Sequence, residues 1–468
     1  MNLNIILFLI HTLESHYTPT FQLAKLLQSQ GYQAVYAVPE RYKAYIEAQS
    51  FATIELGGFP FGLGFEQDNR EFEKSQDLYL DVLLDKISNR IYEDRKAKLS
   101  QIVEDLQPTL ILIDMWVSTD FIILYPLLQK YSIKVAFLQP MLSTYRKQFS
   151  PPLFTPLLPN DKKAVQKAWK DFEWKGKINQ LKQVICYLGH HDSRKVKQKF
   201  KENLLPEKHQ IRKDNLYHYT FAGIPEFILA PEELEFPPSE KRENQHYLGN
   251  ILYLDRKQTD IDERYEMVLG KIKQNKAPSP LGRDGVEQQP LIYCTFGTMH
   301  EKYESQIISF LQKLFSVFYQ KPDWQLLCTA NKQVRDALQN TELPNNIHLL
   351  SKVPQLALLP KVDVFIHHGG LGSVKEALHF QVPTLVYPIT PTFDTEGNAA
   401  RIFYHRLGLR GEISQDSPKE IAEKIQELLT NPLYKQNLQA FKEKTETKYT
   451  EERVLTLFEE LLREPAWV

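Results

Sequence analysis

Short apolar runs, each closed by a polar residue, a glycine or a proline, recur through both halves of the chain, and they restrict the fold more than any other feature. Residues 5–10, 34–38, 110–113 and 134–138 form the first set, and 291–296, 325–328, 363–367 and 384–387 the second. Runs of this length without polar alternation fit strands covered on both faces. What separates them reads as helix. After the first run a polar loop leads to Pro19, which suits a first helical turn. Leu23, Leu26 and Leu27 share one face, and Gly31 closes the helix. Strand, helix and strand in succession predict a parallel sheet with right-handed crossovers. Two such halves predict an α/β protein of two doubly wound domains facing a cleft. A length of 468 residues, beyond what one core supports, agrees.

The proline-bearing segment 227–238 and the Pro/Gly-rich stretch 275–289 place the domain boundary. We divide the chain into an N-terminal domain, 1–235, a C-terminal domain, 236–450, and a final amphipathic helix, 451–468, that packs back. Residues 77–106 and 162–215 read as long helical stretches. Pro151–Pro159 reads as irregular, because proline breaks both ladders and helices.

Composition excludes several classes. The formal net charge is -1, which gives no general attraction to nucleic acid. Cys186, Cys294 and Cys328 are too scattered for a metal site or a disulfide framework, and such usage suits a reducing cytoplasm. The apolar opening, residues 2–10, lacks a basic n-region and is far shorter than the roughly 20 residues that span a bilayer. It reads as a buried first strand, and the expectation is a cytoplasmic protein without membrane spans.

In doubly wound sheets ligands bind at the carboxyl ends of strands. His16, Asp114, Thr298, His368 and Asp394 all lie just past predicted strands. The sharpest local signal is His368-Gly369-Gly370-Leu371-Gly372-Ser373-Val374-Lys375-Glu376, where a strand runs into a glycine-rich turn and a helix begins. Glycines admit a ligand close to the backbone, and unpaired amides at a helix start favour an anion such as a diphosphate. A tight packing turn has the same local pattern, so the rest of the segment matters.

That segment, "FIHHGGLGSVKEALHFQVPTLVYPITPTFDTEGNAAR", resembles the donor-binding signature of family-1 (UDP-dependent) inverting glycosyltransferases, in the style of bacterial macrolide and carotenoid glycosyltransferases. Val353-Pro354-Gln355 with Leu359 is similar to the element that precedes the signature. Phe296-Gly297-Thr298 is similar to a second phosphate-contacting turn, and His16-Tyr17-Thr18-Pro19 to the family's His-x-x-Pro element. The resemblance implies a GT-B fold of two Rossmann-like domains. It implies a UDP-sugar or dTDP-sugar as co-substrate, UDP being favoured, with no further cofactor and no metal required. By match, His368, Gly370, Gly372 and Ser373 hold the diphosphate, Thr298 lies near the phosphates, Glu376 takes the ribose, Gln355 lies near the nucleoside, and Asp394 with Thr395 faces the sugar. His16 is the general base and Asp114 orients it. His11 is the competing histidine, Asp114 also reads as a helix cap, and His367 reads as structural.

Three positions differ from the family pattern. Thr395 stands where Gln is usual, Lys352 where an aromatic stacks on the base, and Gly372 where many members have Asn. Leu142, Phe149, Leu153, Phe154 and Leu157 suggest an apolar acceptor lining, hence a small hydrophobic acceptor. Residues 161–214 hold 15 Lys and Arg against 7 Asp and Glu, an excess of 8, interleaved with Trp169, Phe172, Trp174 and Phe200. This reads as a solvated helical insertion or as peripheral membrane contact. Competing functions are a lipid-directed cell-envelope glycosyltransferase, a nucleotide-sugar epimerase, and a nucleotide-sugar-binding protein without catalysis.

Overall fold

The computed structural model describes residues 4–64, 78–212, 214–276, 289–297 and 303–463. The first parallel sheet contains β1 (Ile5–Leu9), β2 (Gln33–Val38), β3 (Ala52–Glu55), β4 (Leu110–Asp114) and β5 (Lys134–Gln139). A small antiparallel pair follows, β6 (Ile211–Arg212) with β7 (Thr220–Phe221). The sheet then resumes with β8 (Glu226–Ile228) and β9 (Gln245–Tyr247), giving the order 3-2-1-4-5-8-9. The second parallel sheet is β10 (Leu291–Thr295), β11 (Gln325–Thr329), β12 (Ile347–Leu350), β13 (Val364–His367), β14 (Thr384–Val386) and β15 (Gly408–Arg410), in the order 12-11-10-13-14-15.

Both sheets are covered on both faces, as continuous apolar strands require. Leu7 and Leu9 enter one core cluster while Ile6 and Phe8 enter another, the period-two alternation of a strand. In the second sheet Ile292 and Cys294 face one cluster, and Leu291 and Tyr293 the other. A fifth cluster joins the domains. Leu142 and Leu153 from the first domain pack with Leu371, Val374, Val386 and Ile402 from the second.

Each sheet reverses its order once, between β1 and β4 and between β10 and β13. At such a reversal the two following loops diverge to opposite faces and leave a crevice at the strands' carboxyl ends. Leu9 is in register with Ile113, so the residues after β1 and β4 emerge side by side. Thr295 is in register with His367, which does the same for Gly297 and His368.

Several expectations change. The stretch read as one helix over 77–106 is two, Leu78–Ser88 and Arg90–Leu106, broken where Asn89 adopts φ 58°. Asn tolerates that left-handed geometry better than other side chains do. The stretch 162–215 divides into helices Lys162–Cys186 and Asp192–Glu202, followed by β6. Phe227 and Ile228 are strand residues of the first sheet, and β9 lies on that sheet ten residues past the 235/236 division. The last described helix, Glu451–Arg463, returns to the first domain. Val454, Phe458 and Leu461 are buried there, and the Phe458 ring stacks on Phe227 at 4.3 Å. Among the described residues no helix is long and apolar enough to cross a membrane.

Candidate active site

The first crevice holds a histidine–carboxylate pair. Beyond β1 the chain turns through Ile10–Leu13 into a short helix, Glu14–Tyr17, that carries His16. Pro19 then starts the next turn. His16 Nδ1 lies 2.7 Å from Asp114 Oδ2. Asp114 is 1% exposed and also accepts from the amides of Trp116 at 2.9 Å and His11 at 3.3 Å. It therefore caps the turn Met115–Val117 and grips His16 at once. Burial works to raise the Asp114 pKa, but the charge and hydrogen bond of His16 outweigh it, and the carboxyl is held below its usual range. An ionised carboxylate only accepts, so Nδ1 carries a proton, and in the neutral imidazole Nε2 presents its lone pair. His11, 5.0 Å away ring to ring, is pulled down to about 4, first by burial and then by His16.

Aromatic rings enclose this pair. Trp116 lies 6.0 Å from His16, 5.7 Å from Tyr217 and 6.1 Å from His218. It also lies 5.9 Å from Phe393, the residue before Asp394, so the two halves of the site meet through these rings. A cavity of about 660 Å³ lies at the ends of β1, β2 and β3, lined in part by Thr12, Arg41, Phe59 and Lys98.

The second crevice is the glycine turn. Gly369 sits at φ 93°, and its amide donates to His367 Nδ1 at 3.0 Å. The His368 ring is wedged between two glycines. A Cβ on Gly297 would fall 2.7 Å from the ring, and one on Gly370 would fall 2.8 Å from it. Helix Leu371–Phe380 begins directly after, with Ser373 half-buried in its first turn. A side chain at Gly372 would meet nothing within 4 Å, so that position faces open space. His367 is fully buried, and burial lowers its pKa to about 3, in line with a structural role.

Glu376 is buried at the centre of a network. It accepts from Gln355 Nε2 at 2.6 Å and from Arg256 Nη2 at 3.1 Å, and Gln355 in turn accepts from the Tyr293 hydroxyl at 3.1 Å. Gln355 and Glu376 are thus brought together. Lys352 is exposed. Asp394 is buried, which raises its pKa against the pull of Asn398. Asn398 donates to Asp394 Oδ2 and to the Gly369 carbonyl, tying the sugar segment to the glycine turn. The Thr395 hydroxyl turns inward and donates to the Thr390 carbonyl at 3.0 Å. Thr298 lies outside the described residues.

The sequence reading missed Trp116, Tyr217, His218, Phe393 and Arg256. Only the two that neighbour Asp114 and Asp394 carried a local signal. Of the apolar run read as acceptor lining, Phe154 packs on the same interdomain cluster as Trp116 and Tyr217. Leu142 and Leu153 are buried in the domain interface, where Leu153 O packs against Gly397, and Phe149 is exposed.

Lys375 points away from the site. It is 2% exposed, its Nζ donates to the Leu229 carbonyl at 2.7 Å, and burial brings its pKa from 10.5 to about 7, with Glu376 opposing. The folded pKa lies below the unfolded one, so between pH 7 and 10.5 the unfolded chain binds more protons. Stability from this group rises with pH across that window and is lost as pH falls toward 7. Denaturant melts from pH 7 to 9 are expected to lose up to about 1.4 kcal/mol per pH unit of slope in Lys375→Met. Equal slopes for variant and wild type would exclude this assignment.

Residues 321–461 match the family described as "Erythromycin biosynthesis protein CIII-like, C-terminal domain". The NDP-glycosyltransferase YjiC of Bacillus subtilis (strain 168) is 27% identical over 176 residues, 36% of this chain. That match spans 43% of the relative's length. The glycosyltransferase of kitacinnamycin has the same fold, with a TM-score of 0.68 at 18% identity over 98% of this chain and 99% of that one. The spinosyn rhamnosyltransferase SpnG, solved with thymidine diphosphate, gives 0.57 at 14% identity over 98% of this chain and all (100%) of that one. Residues 321–461 are thus similar to a domain of a biosynthetic family, and the chain as a whole shares the GT-B fold of the solved glycosyltransferases.

Proposed function

We propose that the chain transfers a hexose from a nucleoside diphosphate to a hydroxyl of a small acceptor, inverting the anomeric centre. The observation that carries this is the His16–Asp114 pair, with Nε2 turned away from the carboxylate, meeting the donor segment through Trp116 and Phe393. His16 Nε2 takes the acceptor's hydroxyl proton as the oxygen attacks the anomeric carbon. The bond from that carbon to the diphosphate oxygen breaks, and its electron pair leaves with the diphosphate. The developing charge meets His368, Ser373 and the unpaired amides at the start of helix Leu371–Phe380. These fixed donors suffice for the leaving group, and no metal is required. Asp114 stabilises the imidazolium. Asp394 takes sugar hydroxyls. The ring wall of Trp116, Tyr217 and Phe393 suits a hydrophobic acceptor, and Phe154 of the run 142–157 packs on the same cluster as Trp116 and Tyr217.

UDP is the favoured carrier. A solved structure of the same fold holds thymidine diphosphate, which supports dTDP as the second reading. A thermal-shift panel of UDP, dTDP and their sugars separates them, because a ligand of the folded state raises its melting temperature. A shift with neither would reject the donor site. Glu376→Ala is expected to weaken the bound diphosphate about tenfold or more, the effect of losing a charged hydrogen bond. Unchanged affinity by calorimetry would remove Glu376 from the ribose contact.

A further inference from the structure

Helix Lys162–Cys186 changes sides halfway along. Its first half packs Val165 and Trp169 into the domain interface, with Phe172 against them. From Trp174 to Lys182 every residue is exposed, so this half projects from the body. It is not a polar projection. Trp174 is 64% exposed, Ile178 40%, Leu181 61% and Ile185 66%. At 100° per residue these four fall within an arc of about 60°, on the side opposite Val165 and Trp169. They form a second apolar stripe with no core beneath it. Tyr79 and Ile87 of helix Leu78–Ser88 are also exposed, and the Tyr79 hydroxyl, donating to the Cys186 carbonyl, sets them alongside.

Along this segment the charge has one sign. Between Trp174 and His191 the chain has Lys175, Lys177 and Lys182 and no carboxylate. Lys177 and Lys182 flank the stripe on either side, where long stems lie along apolar surface while the ammonium groups stay in water. An apolar stripe bordered by lysines on a projecting helix is the pattern of a segment lying in a membrane interface. We propose that residues 174–188 dock the protein on an anionic bilayer surface, with Trp174, Ile178, Leu181 and Ile185 entering the headgroup boundary and the three lysines meeting the lipid charge.

Flotation of the full chain tests this, using vesicles of phosphatidylcholine with or without phosphatidylglycerol. Binding is expected to anionic vesicles at low salt and to fall at high salt. Each Lys→Glu change at 175, 177 or 182 is expected to weaken it about fivefold or more. The triple variant Ile178→Ser, Leu181→Ser, Ile185→Ser is expected to weaken it more than tenfold. These positions are exposed, so both sets should keep the wild-type melting temperature and its shift with nucleotide. Trp174 emission should move to the blue on anionic vesicles, a change absent in Trp174→Phe. No flotation at low salt, or flotation that the triple variant leaves intact, would overturn the proposal. So would a dimer in sedimentation that the triple variant dissolves, because the stripe would then belong to a second copy of the chain.

Discussion

His16→Ala is expected to leave the nucleotide-induced thermal shift unchanged and to lower kcat by about 10²–10⁴-fold, the usual loss when a positioned general base is removed. The separation follows from the geometry. His16 sits at the end of the first sheet, while the phosphate and ribose groups sit at the end of the second. Removing the imidazole leaves Asp114 with the amides of Trp116 and His11, so the turn it caps should survive. His11 is the nearest replacement base, but a pKa near 4 makes it a weak one. Asp114→Asn makes a sharper companion. An amide nitrogen facing Nδ1 favours the tautomer with its proton on Nε2, where the base needs a lone pair. Its kcat should fall by a similar order at unchanged donor KM. If His16→Ala turned over at near the wild-type rate, the base would be another group. If its nucleotide shift also vanished, His16 would be structural.

Much of this site was legible because its parts are local. His16 and Pro19 lie in one turn, and the glycine turn is nine consecutive residues. The strands were legible as apolar runs. The meeting of His16 with Asp114 was expected only through the family resemblance, since it depends on strand order and no run of residues states which strands are neighbours. Arg256 illustrates the same limit. It reaches Glu376 across 120 positions and carries no motif of its own. The run from Leu142 to Leu157 shows a different one. Apolar character says that a side chain will be covered, not by what, and here the cover is the second domain. Leu153 fits because residue 397 is glycine. A Cβ there would lie 2.0 Å from the Leu153 carbonyl oxygen. The division at 235 was set by prolines, but proline marks irregular backbone, and the sheet continues past it through β9.

The second large effect concerns Glu235, in the passage between the domains. It is 3% exposed and accepts from Lys147 Nζ at 2.7 Å, Arg401 Nη2 at 3.0 Å, the Tyr247 hydroxyl at 2.9 Å and the Ser143 amide at 3.1 Å. Lys147 is 6% exposed and Arg401 2%, so the triad is dry on all sides. Burial alone would raise the Glu235 pKa, but the two cations overcome it and bring it down to about 2. Its folded pKa lies below the unfolded one. The stability it supplies is complete above pH 4.5 and is lost as pH falls through 2. Glu235→Ala leaves two buried cations without their counter-charge, a change that costs about 3–5 kcal/mol. A fall in melting temperature on the order of 10 °C is expected at pH 7. The triple variant Glu235→Leu, Lys147→Met, Arg401→Met should recover most of it, because a dry triad replaced by apolar side chains is often as stable. Function should respond separately. Arg401 also donates to the Gly397 carbonyl, in the helix that opens at Asp394, so it ties the sugar segment to the triad. The triple variant is therefore expected to regain stability yet keep a raised donor KM. If Glu235→Ala melted with the wild type, the triad would contribute nothing net. If the triple variant restored KM along with stability, the triad would hold the domains together without positioning the donor.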